Sequence, residues 1–407
     1  MDFAESLSVS PLRAGRTPRE VHDLAAFGGA PAFSEPRHVG RPNIGDRAEL
    51  FERIEGALDR GWLANDGPLV AEFERRVAEL LEVKHCVATS SATTGLQLVA
   101  RALELAGEVV MPSFTFVGSA HALGWLGITP VFADIDPATH TVDPGAVERA
   151  LTPRTSAILA VHIWGRPCDV AALERIADHH GLPLVLDAAQ ALACTYRGRP
   201  IGASGRAEVF SFHATKVANA GEGGVVTTRD AGLARRVRLM RNFGFASYDT
   251  VTALGTNAKM NELSAAMGLT SLDSLERFIA VNRENHQHYA RELEDVPGLR
   301  IVRYPHDERH NYHYVVAEVE DPGLRDDLVR VLHLENVLAR RYFAPGCHRM
   351  QPYASDPVQL PATEALSNRV LVLPNGTATS EGDIATICAI IRLAVEHAPA
   401  LRERLAE

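Results

Sequence analysis

The chain has 407 residues, of which 46% are hydrophobic and 23% are charged, and its formal net charge is −10. This length exceeds what one compact core supports, so we expect two domains that share an interface. The acidic balance argues against nucleic acid or an anionic membrane as the main partner, and an anionic substrate would need a local cationic patch.

The cysteines and the N-terminus indicate a cytoplasmic protein. The five cysteines are scattered and form no CxxC pair, which favours reduced thiols over disulfides or a zinc site. The first residues lack a basic and apolar leader, and no run reaches the ~18 apolar residues that a membrane span needs. The histidines follow no metal-ligand spacing, so we predict no metal site.

Residues 1–40 are rich in Gly, Pro and Arg and are predicted to form an arm on the surface or across a neighbouring subunit. Apolar residues spaced at three and four then predict amphipathic helices over 46–58 and 69–81.

From residue 85 onward, short apolar strands alternate with helices. The strands are predicted over 85–89, 108–111, 130–134, 156–161 and 182–187, and the helices over 94–103, 117–125, 144–151 and 169–179. This alternation predicts a mostly parallel sheet covered on both faces, with ligands beyond the carboxyl ends of its strands.

The pattern changes after residue 224. A helix over 230–240 and one long helix over 261–283 are predicted, followed by β-rich and helical pieces. We therefore divide the chain into an arm (1–40), a large domain (41–265) and a smaller C-terminal α/β domain (266–407).

Lys216 stands out because no other lysine lies between Lys84 and Lys259. It follows an apolar strand and precedes the Gly-rich turn 221–224, among small and polar residues. This setting is typical of a lysine that forms a Schiff base with pyridoxal phosphate, although a partly buried structural lysine is also possible.

Asp187 ends an apolar strand, where a buried carboxylate requires a cationic partner. A protonated pyridine nitrogen would serve, and an N-cap role is the alternative. Gln190, one helical turn further on, would lie near the phenolic oxygen of the cofactor or near the lysine.

Hydroxyl-rich residues at 90–95 join a strand to a helix, so their amides point towards whatever binds at the positive helix end. Plain N-capping is the alternative. Ser211 could add another phosphate donor, and Phe116 could stack on the pyridine or belong to the core. The turn at 255–260 carries Asn257 and Lys259, for which a capping turn is the alternative.

Taken together, these motifs resemble the fold-type I pyridoxal-phosphate enzymes, and within them the DegT/StrS-type sugar aminotransferases, over residues 46–393. The stretches that carry the resemblance are 91–96, 111–116, 187–190, 211–216, 222–224 and 255–260. Stretches 164–168 and 342–348 resemble members that aminate C4 of TDP-4-keto-6-deoxyglucose in deoxysugar biosynthesis for secondary metabolites.

The resemblance implies a fold-type I transferase with a seven-stranded, mostly parallel sheet between helices. It assigns catalysis to Lys216 and Asp187, ring stacking to Phe116, and the remaining cofactor contacts to Ala92, Thr93, Gln190, Ser211 and Asn257. Because the asparagine would reach the neighbouring subunit's cofactor, a homodimer with shared sites is implied.

Two positions depart from the family pattern, since Ala92 stands where glycine is frequent and Gln190 where histidine is frequent. Lys216 is intact, whereas the dehydratases of the family carry histidine there.

The expected activity is transfer of an amino group, with L-glutamate as donor, to C4 of TDP-4-keto-6-deoxyglucose. Amination at C3, or of another keto-sugar, is the alternative within enzymes. A cofactor-binding regulatory protein without turnover and a pyridoxal-phosphate lyase are alternatives of other classes. Arg241 and Lys259 are candidates for binding the nucleotide diphosphate.

Overall fold

A computed structural model describes residues 15–354 and 358–406. Its helices are α1 (Arg47–Arg60), α2 (Pro68–Leu80), α3 (Ala92–Ala102), α4 (Val117–Gly124), α5 (Pro144–Ala150), α6 (Val170–His180), α7 (Ala231–Arg241), α8 (Glu262–Asp273), α9 (Leu275–Glu292), α10 (Pro322–Leu334), α11 (Pro361–Ser367), α12 (Glu381–Glu396) and α13 (Ala398–Ala406).

The strands are β1 (Arg37–His38), β2 (His85–Thr89), β3 (Glu108–Pro112), β4 (Thr129–Ala133), β5 (Thr155–Val161), β6 (Leu184–Asp187), β7 (Thr195–Tyr196), β8 (Arg199–Pro200), β9 (Ala207–Ser211), β10 (Gly224–Thr228), β11 (Phe245–Ser247), β12 (Thr250–Val251), β13 (Leu299–Ile301), β14 (Val315–Val319), β15 (Val337–Leu338) and β16 (Val370–Leu373).

The helix boundaries follow local capping chemistry. Asp46 caps α1 by accepting from the amides of Ala48 and Glu49, and Gly61 ends that helix in the left-handed conformation. Ser91 caps α3 through a reciprocal capping box with Thr94. Asp46 and Ser91 each satisfy amides that a helix start leaves without partners.

The central sheet has seven strands in the order β2-β10-β9-β6-β5-β3-β4. β10 runs antiparallel to both of its neighbours, and the other pairs are parallel. The carboxyl ends of β2, β3, β5, β6 and β9 therefore meet at one edge of the sheet. The predicted mostly parallel, seven-stranded fold is confirmed.

Alternate residues of the sheet pack into different cores, as strand periodicity requires. On β9, Val209 lies in a core with α3, α4 and α7, whereas Phe210 packs with α1, α2 and α8. Further along that second face, Leu186 of β6 packs with α5 and α6. Helices thus cover the sheet on both faces.

A smaller antiparallel sheet, β13-β14-β16, forms the second part of the fold. Its core includes residues of α9, α10, α12 and α13, together with Leu24 and Phe33 from the described part of the predicted arm. Residues 15–40 therefore pack against this chain's own C-terminal part, while residues 1–14 lie outside the described residues.

The predicted long helix over 261–283 is wrong, because the structure has two helices, α8 and α9, interrupted at Ser274. The division predicted at residue 265 falls inside α8. Residues of the large-domain core continue to Ile279, and Tyr289 belongs to the second core. We propose that the domains meet within α9, between these two residues.

Among the described residues, no single helix is long and apolar enough to cross a membrane. Helices α12 and α13 pass that test only as a pair, which is bent by 90°.

Candidate active site

A cavity of about 260 Å³ lies at the edge where the strand carboxyl ends meet. Its walls come from both parts of the fold, since Tyr314, Tyr342 and Phe343 face the ends of the large sheet. Among the predicted site residues, the cavity is lined by Ala92, Thr93, Phe116, Asp187, Gln190, Ser211 and Lys216.

Asp187 is the last residue of β6 and is 6% exposed. Ser119 Oγ donates to its Oδ2 at 2.7 Å, and the amide of Ala189 donates to its Oδ1 at 3.0 Å. In the described part of the chain it has no cationic partner. A buried carboxylate held by neutral donors is suited to a cation supplied by a ligand.

Lys216 lies in the loop between β9 and β10. Its amide donates to the carbonyl of His213 at 2.9 Å, which forms a tight turn that carries the side chain to the cavity. Nζ donates to the hydroxyl of Tyr314 at 3.3 Å. No carboxylate of the described residues pairs with this amine, so it is available to react with a carbonyl group.

The start of α3 forms the polar end of the cavity. Ala92 and Thr93 are the first residues of this helix, whose leading amides have no partner within the helix. Ser211, the last residue of β9, lies beside them on the cavity wall. This combination of amides and hydroxyls suits a phosphate group.

Gly224 brings β10 close to this helix start. A Cβ at this position would lie 2.5 Å from the amide nitrogen of Ala92 and from the carbonyl carbon of Ser91. The Gly-rich turn therefore allows close approach to the protein's own backbone at the anion-binding end.

Gln190 is 7% exposed, and its Oε1 accepts from the amide of Trp164 at 2.6 Å. Trp164 has a φ of 60°, a left-handed conformation that is strained for a non-glycine residue. With its oxygen engaged, the Gln190 amide nitrogen remains as a donor for the cavity. Phe116, at the start of α4, is 59% exposed and offers its ring to the cavity.

Arg241 is the clearest departure from the predicted site. It is 3% exposed, and its guanidinium donates to Glu74 at 2.6 Å, to Asp66 at 2.6 Å and to the carbonyl of Ala88 at 2.7 Å. These contacts engage the cation inside the protein and away from the cavity. The structure therefore contradicts its role as a diphosphate ligand.

Asn257 and Lys259 also lie outside the cavity of their own chain. Asn257 is exposed and forms an isolated bridge with Asn242. Lys259 Nζ donates to the Asn242 side chain at 3.0 Å and lies 4.7 Å from the centre of the Phe243 ring. The predicted contact of Asn257 with a neighbouring subunit stays a prediction.

Sequence patterns did not identify Ser119 and Tyr314, the side chains that form hydrogen bonds with Asp187 and Lys216. Ser119, which holds Asp187, follows the cavity-lining Phe116 by three residues in the first turn of α4. That spacing was the only local signal. Tyr314, which contacts Lys216, carries no motif and lies 98 residues away in sequence.

His313 is buried beside Lys216, and its Nε2 donates to the carbonyl of Thr215 at 2.7 Å. Burial lowers the pKa of His313 to about 4, and the positive charge of Lys216 acts in the same direction. His313 is therefore neutral at pH 7. Within the described residues, no group of His, Cys, Asp and Glu could hold a metal ion.

The mostly parallel sheet, with a lysine and a buried carboxylate at one cavity on its carboxyl edge, is the arrangement expected of an enzyme that uses a Schiff-base lysine. Residues 45–392 match the DegT/DnrJ/EryC1/StrS aminotransferase family. The chain belongs to this family, and the resemblance predicted from the sequence is confirmed.

Individual relatives agree with this assignment. The chain is 33% identical to the dTDP-4-amino-4,6-dideoxy-D-glucose transaminase of Escherichia coli over 361 residues, which cover 87% of this chain and 97% of that one. It is 38% identical over 336 residues to the erythromycin biosynthesis sensory transduction protein EryC1 of Saccharopolyspora erythraea, with 81% and 91% covered.

Among solved structures, DesI in the presence of its TDP-sugar product superposes with a TM-score of 0.92. It is 52% identical to this chain, and the match covers 95% of this chain and 100% of DesI.

Proposed function

We propose that the protein uses pyridoxal phosphate to transfer an amino group from L-glutamate to C4 of TDP-4-keto-6-deoxyglucose, giving TDP-4-amino-4,6-dideoxyglucose. The observation that carries this proposal is the placement of Lys216 and the buried Asp187 on one cavity. The names of the Escherichia coli transaminase and of the DesI complex support a TDP-linked amino-sugar.

The residues present fit this cofactor. Among the described residues Asp187 has no cationic partner, and a pyridinium nitrogen would provide one. Phe116 offers a ring for stacking. The amides of Ala92 and Thr93, with the hydroxyl of Ser211, would hold the phosphate. Gln190 would donate to the phenolic oxygen, and its contact with Trp164 fixes its orientation.

Pyridoxal phosphate, when bound, supplies an aldehyde that condenses with amines and a ring that stabilises carbanions. The chain supplies the orientation and the proton movements. Asp187, held by Ser119 and Ala189, would keep the ring nitrogen of the bound cofactor charged. Lys216, once its amine is free, takes up and delivers protons at Nζ as a general acid and base.

Cationic side chains for the nucleotide diphosphate are sparse around the cavity. Among the described residues, its lining includes Lys216 but no arginine, and Arg241 is engaged elsewhere. Cations from a second copy of the chain would complete the site. We therefore retain the predicted homodimer with shared sites as part of the proposal.

Exposed apolar residues support a protein–protein interface near Asn257. They include Phe243, Phe245, Tyr248, Val251 and Leu254, which range from 40% to 97% exposed. Such a concentration of large apolar side chains is typical of an interface. Sedimentation analysis would show a dimer, whereas a monomer at micromolar concentration would contradict this part of the proposal.

The decisive experiment combines purified protein, pyridoxal phosphate, L-glutamate and TDP-4-keto-6-deoxyglucose, with identification of the product by NMR. We expect an amine on C4 and 2-oxoglutarate in equal amount. Lys216→Ala should form neither product. An amine on C3, formed from a 3-keto-sugar and not from the 4-keto-sugar, would favour the alternative ring position, and keto acid without aminated sugar would favour a lyase.

The name of EryC1 describes a sensory transduction protein. The second candidate function is therefore that of a regulatory protein that binds the cofactor without turnover. The free amine of Lys216 and the intact Asp187 favour the enzyme. Adding L-glutamate to the cofactor-loaded protein should bleach the visible absorbance of the lysine-bound cofactor. Persistence of that absorbance would favour the regulatory protein. The cytoplasmic location expected from the sequence stays a prediction.

A further inference from the structure

We propose that the hydroxyl of Tyr314 positions the ε-amine of Lys216 whenever that amine is free, so that Tyr314 is a positioning residue for the general acid and base. This inference rests on the proposed aminotransferase function and deepens it. A lysine released during turnover has a flexible side chain of four methylene groups, and a fixed partner is needed to keep its nitrogen over the reacting atoms.

The contact itself is specific. Lys216 Nζ lies 3.3 Å from Tyr314 Oη and 5.9 Å from the centre of the Tyr314 ring. Within residues 15–354 and 358–406, this hydroxyl is the one hydrogen-bond partner of Nζ, and no carboxylate pairs with it. The position of the free amine therefore depends on a single neutral side chain.

Tyr314 is itself held firmly. The residue is 7% exposed, and its ring centre lies 5.5 Å from that of Trp164 in an edge-on arrangement. The carbonyl of Tyr314 accepts from the hydroxyl of Tyr304 at 2.9 Å. A positioning role requires such an anchored group, because a mobile hydroxyl would not fix the amine.

A second contact links the same two segments. His313, the neighbour of Tyr314, donates from Nε2 to the carbonyl of Thr215, the neighbour of Lys216, at 2.7 Å. Thr215 thus pairs with His313, and the next residue of each segment forms the pair of Lys216 and Tyr314. This pairing sets the distance between the loop that carries Lys216 and the start of β14, independently of the Lys216 side chain.

The titratable groups around Lys216 come from several elements. Asp187 lies at the end of β6, His213 and Glu222 lie in the same loop as Lys216, and His313 precedes β14. Tyr342 also lines the cavity. His213 Nε2 lies 3.6 Å from Glu222, so the carboxylate of this loop faces a histidine rather than the lysine.

The hydroxyl of Tyr314 serves as a hydrogen-bond acceptor for the amine. An ammonium group can only donate to Tyr314 Oη, and a hydrogen bond from a charged donor is stronger than one from a neutral donor. Tyr314→Phe removes the oxygen but keeps the ring and its packing against Trp164. Without this acceptor, the amine has no fixed hydrogen-bond partner among the described residues, and its side chain can adopt other rotamers.

The test measures the reactivity of Lys216 in full-length protein loaded with pyridoxamine 5′-phosphate, which leaves the lysine amine free. Trace acetic anhydride is added, and the rate of modification of the peptide that contains Lys216 is followed by mass spectrometry. We expect Tyr314→Phe to raise this rate by roughly threefold, because the hydrogen bond that holds the amine is lost.

Tyr353→Phe is the matched control, because its hydroxyl contacts Nδ1 of His121 at 2.7 Å and not Lys216. The control should keep the wild-type rate of Lys216 modification. An unchanged rate in Tyr314→Phe would overturn the proposal. Comparing the thermal midpoints of the proteins shows whether the variant is folded.

A kinetic measurement separates positioning from substrate binding. Tyr314→Phe should lower kcat about tenfold and leave KM within about twofold, as expected for loss of an interaction made by the general base. An increase in KM with unchanged kcat would contradict the proposal.

Failure of the proposed function has a different signature. The wild-type protein would then bind no pyridoxamine phosphate in equilibrium dialysis, or would bind it and form no aminated sugar. The labelling comparison still applies to the protein alone, since the contact between Lys216 and Tyr314 is a property of the chain.

Discussion

Lys216 and Arg241 are both cations of the large domain, but their surroundings differ in one decisive respect. The guanidinium of Arg241 is buried and donates to Glu74, Asp66 and the carbonyl of Ala88. Lys216 contacts one neutral hydroxyl at the edge of a cavity. A cation without a charged partner can react, whereas a cation with several partners holds structure together.

Asp187 shows the same contrast among carboxylates. Its oxygens accept from Ser119 and from the amide of Ala189 but from no cation of the described residues. Glu74 instead pairs with Arg238 as well as Arg241. Among the described residues, Asp187 and Lys216 therefore have no partner of opposite charge at the cavity. A bound cofactor would supply interactions for both.

Replacing the reactive cation should produce the largest effect. Lys216→Ala should lower the amination rate by roughly 10³-fold or more, because both the nucleophile and the general base are lost. Borohydride reduction of the cofactor-loaded protein should label wild-type Lys216 and leave the variant unlabelled. Lys84→Ala, at an exposed lysine, is the control and should keep the wild-type rate. Equal turnover of Lys216→Ala and the wild type would refute the reactive role of Lys216.

Replacing the structural cation should lower stability instead. Arg241→Met removes the donor to Asp66, one of the donors to Glu74 and a donor to the carbonyl of Ala88, and we expect a loss of about 3 kcal/mol in the free energy of unfolding. Urea denaturation measures this difference. Arg235→Met, at an exposed position of the same helix, should change the free energy of unfolding little. A stable but inactive Arg241→Met protein would contradict this prediction and support a role of Arg241 in substrate binding.

Acidification should weaken the cavity region through His313. Its pKa is about 4 in the folded chain, against an ordinary value of 6.5, so between these values the unfolded chain binds more protons. Stability is therefore retained above pH 6.5 and falls as the pH drops towards 4, by on the order of 2 kcal/mol.

His313→Gln should flatten this part of the stability profile, because glutamine does not titrate and can still donate to Thr215. Thermal midpoints between pH 7 and pH 4.5 measure the slope. His179→Gln, at an exposed histidine, should retain the wild-type slope. If His313→Gln also retained it, burial of a neutral His313 would be disproved.

The smallest effect is expected from replacing Ser119, which orients the carboxylate of Asp187 in the cavity. Ser119→Ala removes one donor to Asp187 and should weaken cofactor binding by roughly threefold to tenfold, corresponding to a loss of about 1 kcal/mol. Equilibrium dialysis with pyridoxal phosphate measures the change. Ser156→Ala removes a hydroxyl that donates to the carbonyl of Glu108, and its binding should be unchanged.

The sequence by itself determined the sheet and the residues at its carboxyl edge. Apolar strands alternating with helices are local patterns, and Asp187 and Ser211 end such strands in the structure. Strands that run in one direction bring their carboxyl ends together. The family was also readable, because its motifs are short and their order along the chain is fixed.

Only the tertiary structure decided which polar groups are paired. Glu74 lies 167 residues from Arg241, and Tyr314 lies 98 residues from Lys216. No local pattern encodes these contacts, since they arise where separate segments pack together. Periodicity reports which face of an element is buried, whereas the partner of a charged side chain depends on the packing of distant elements.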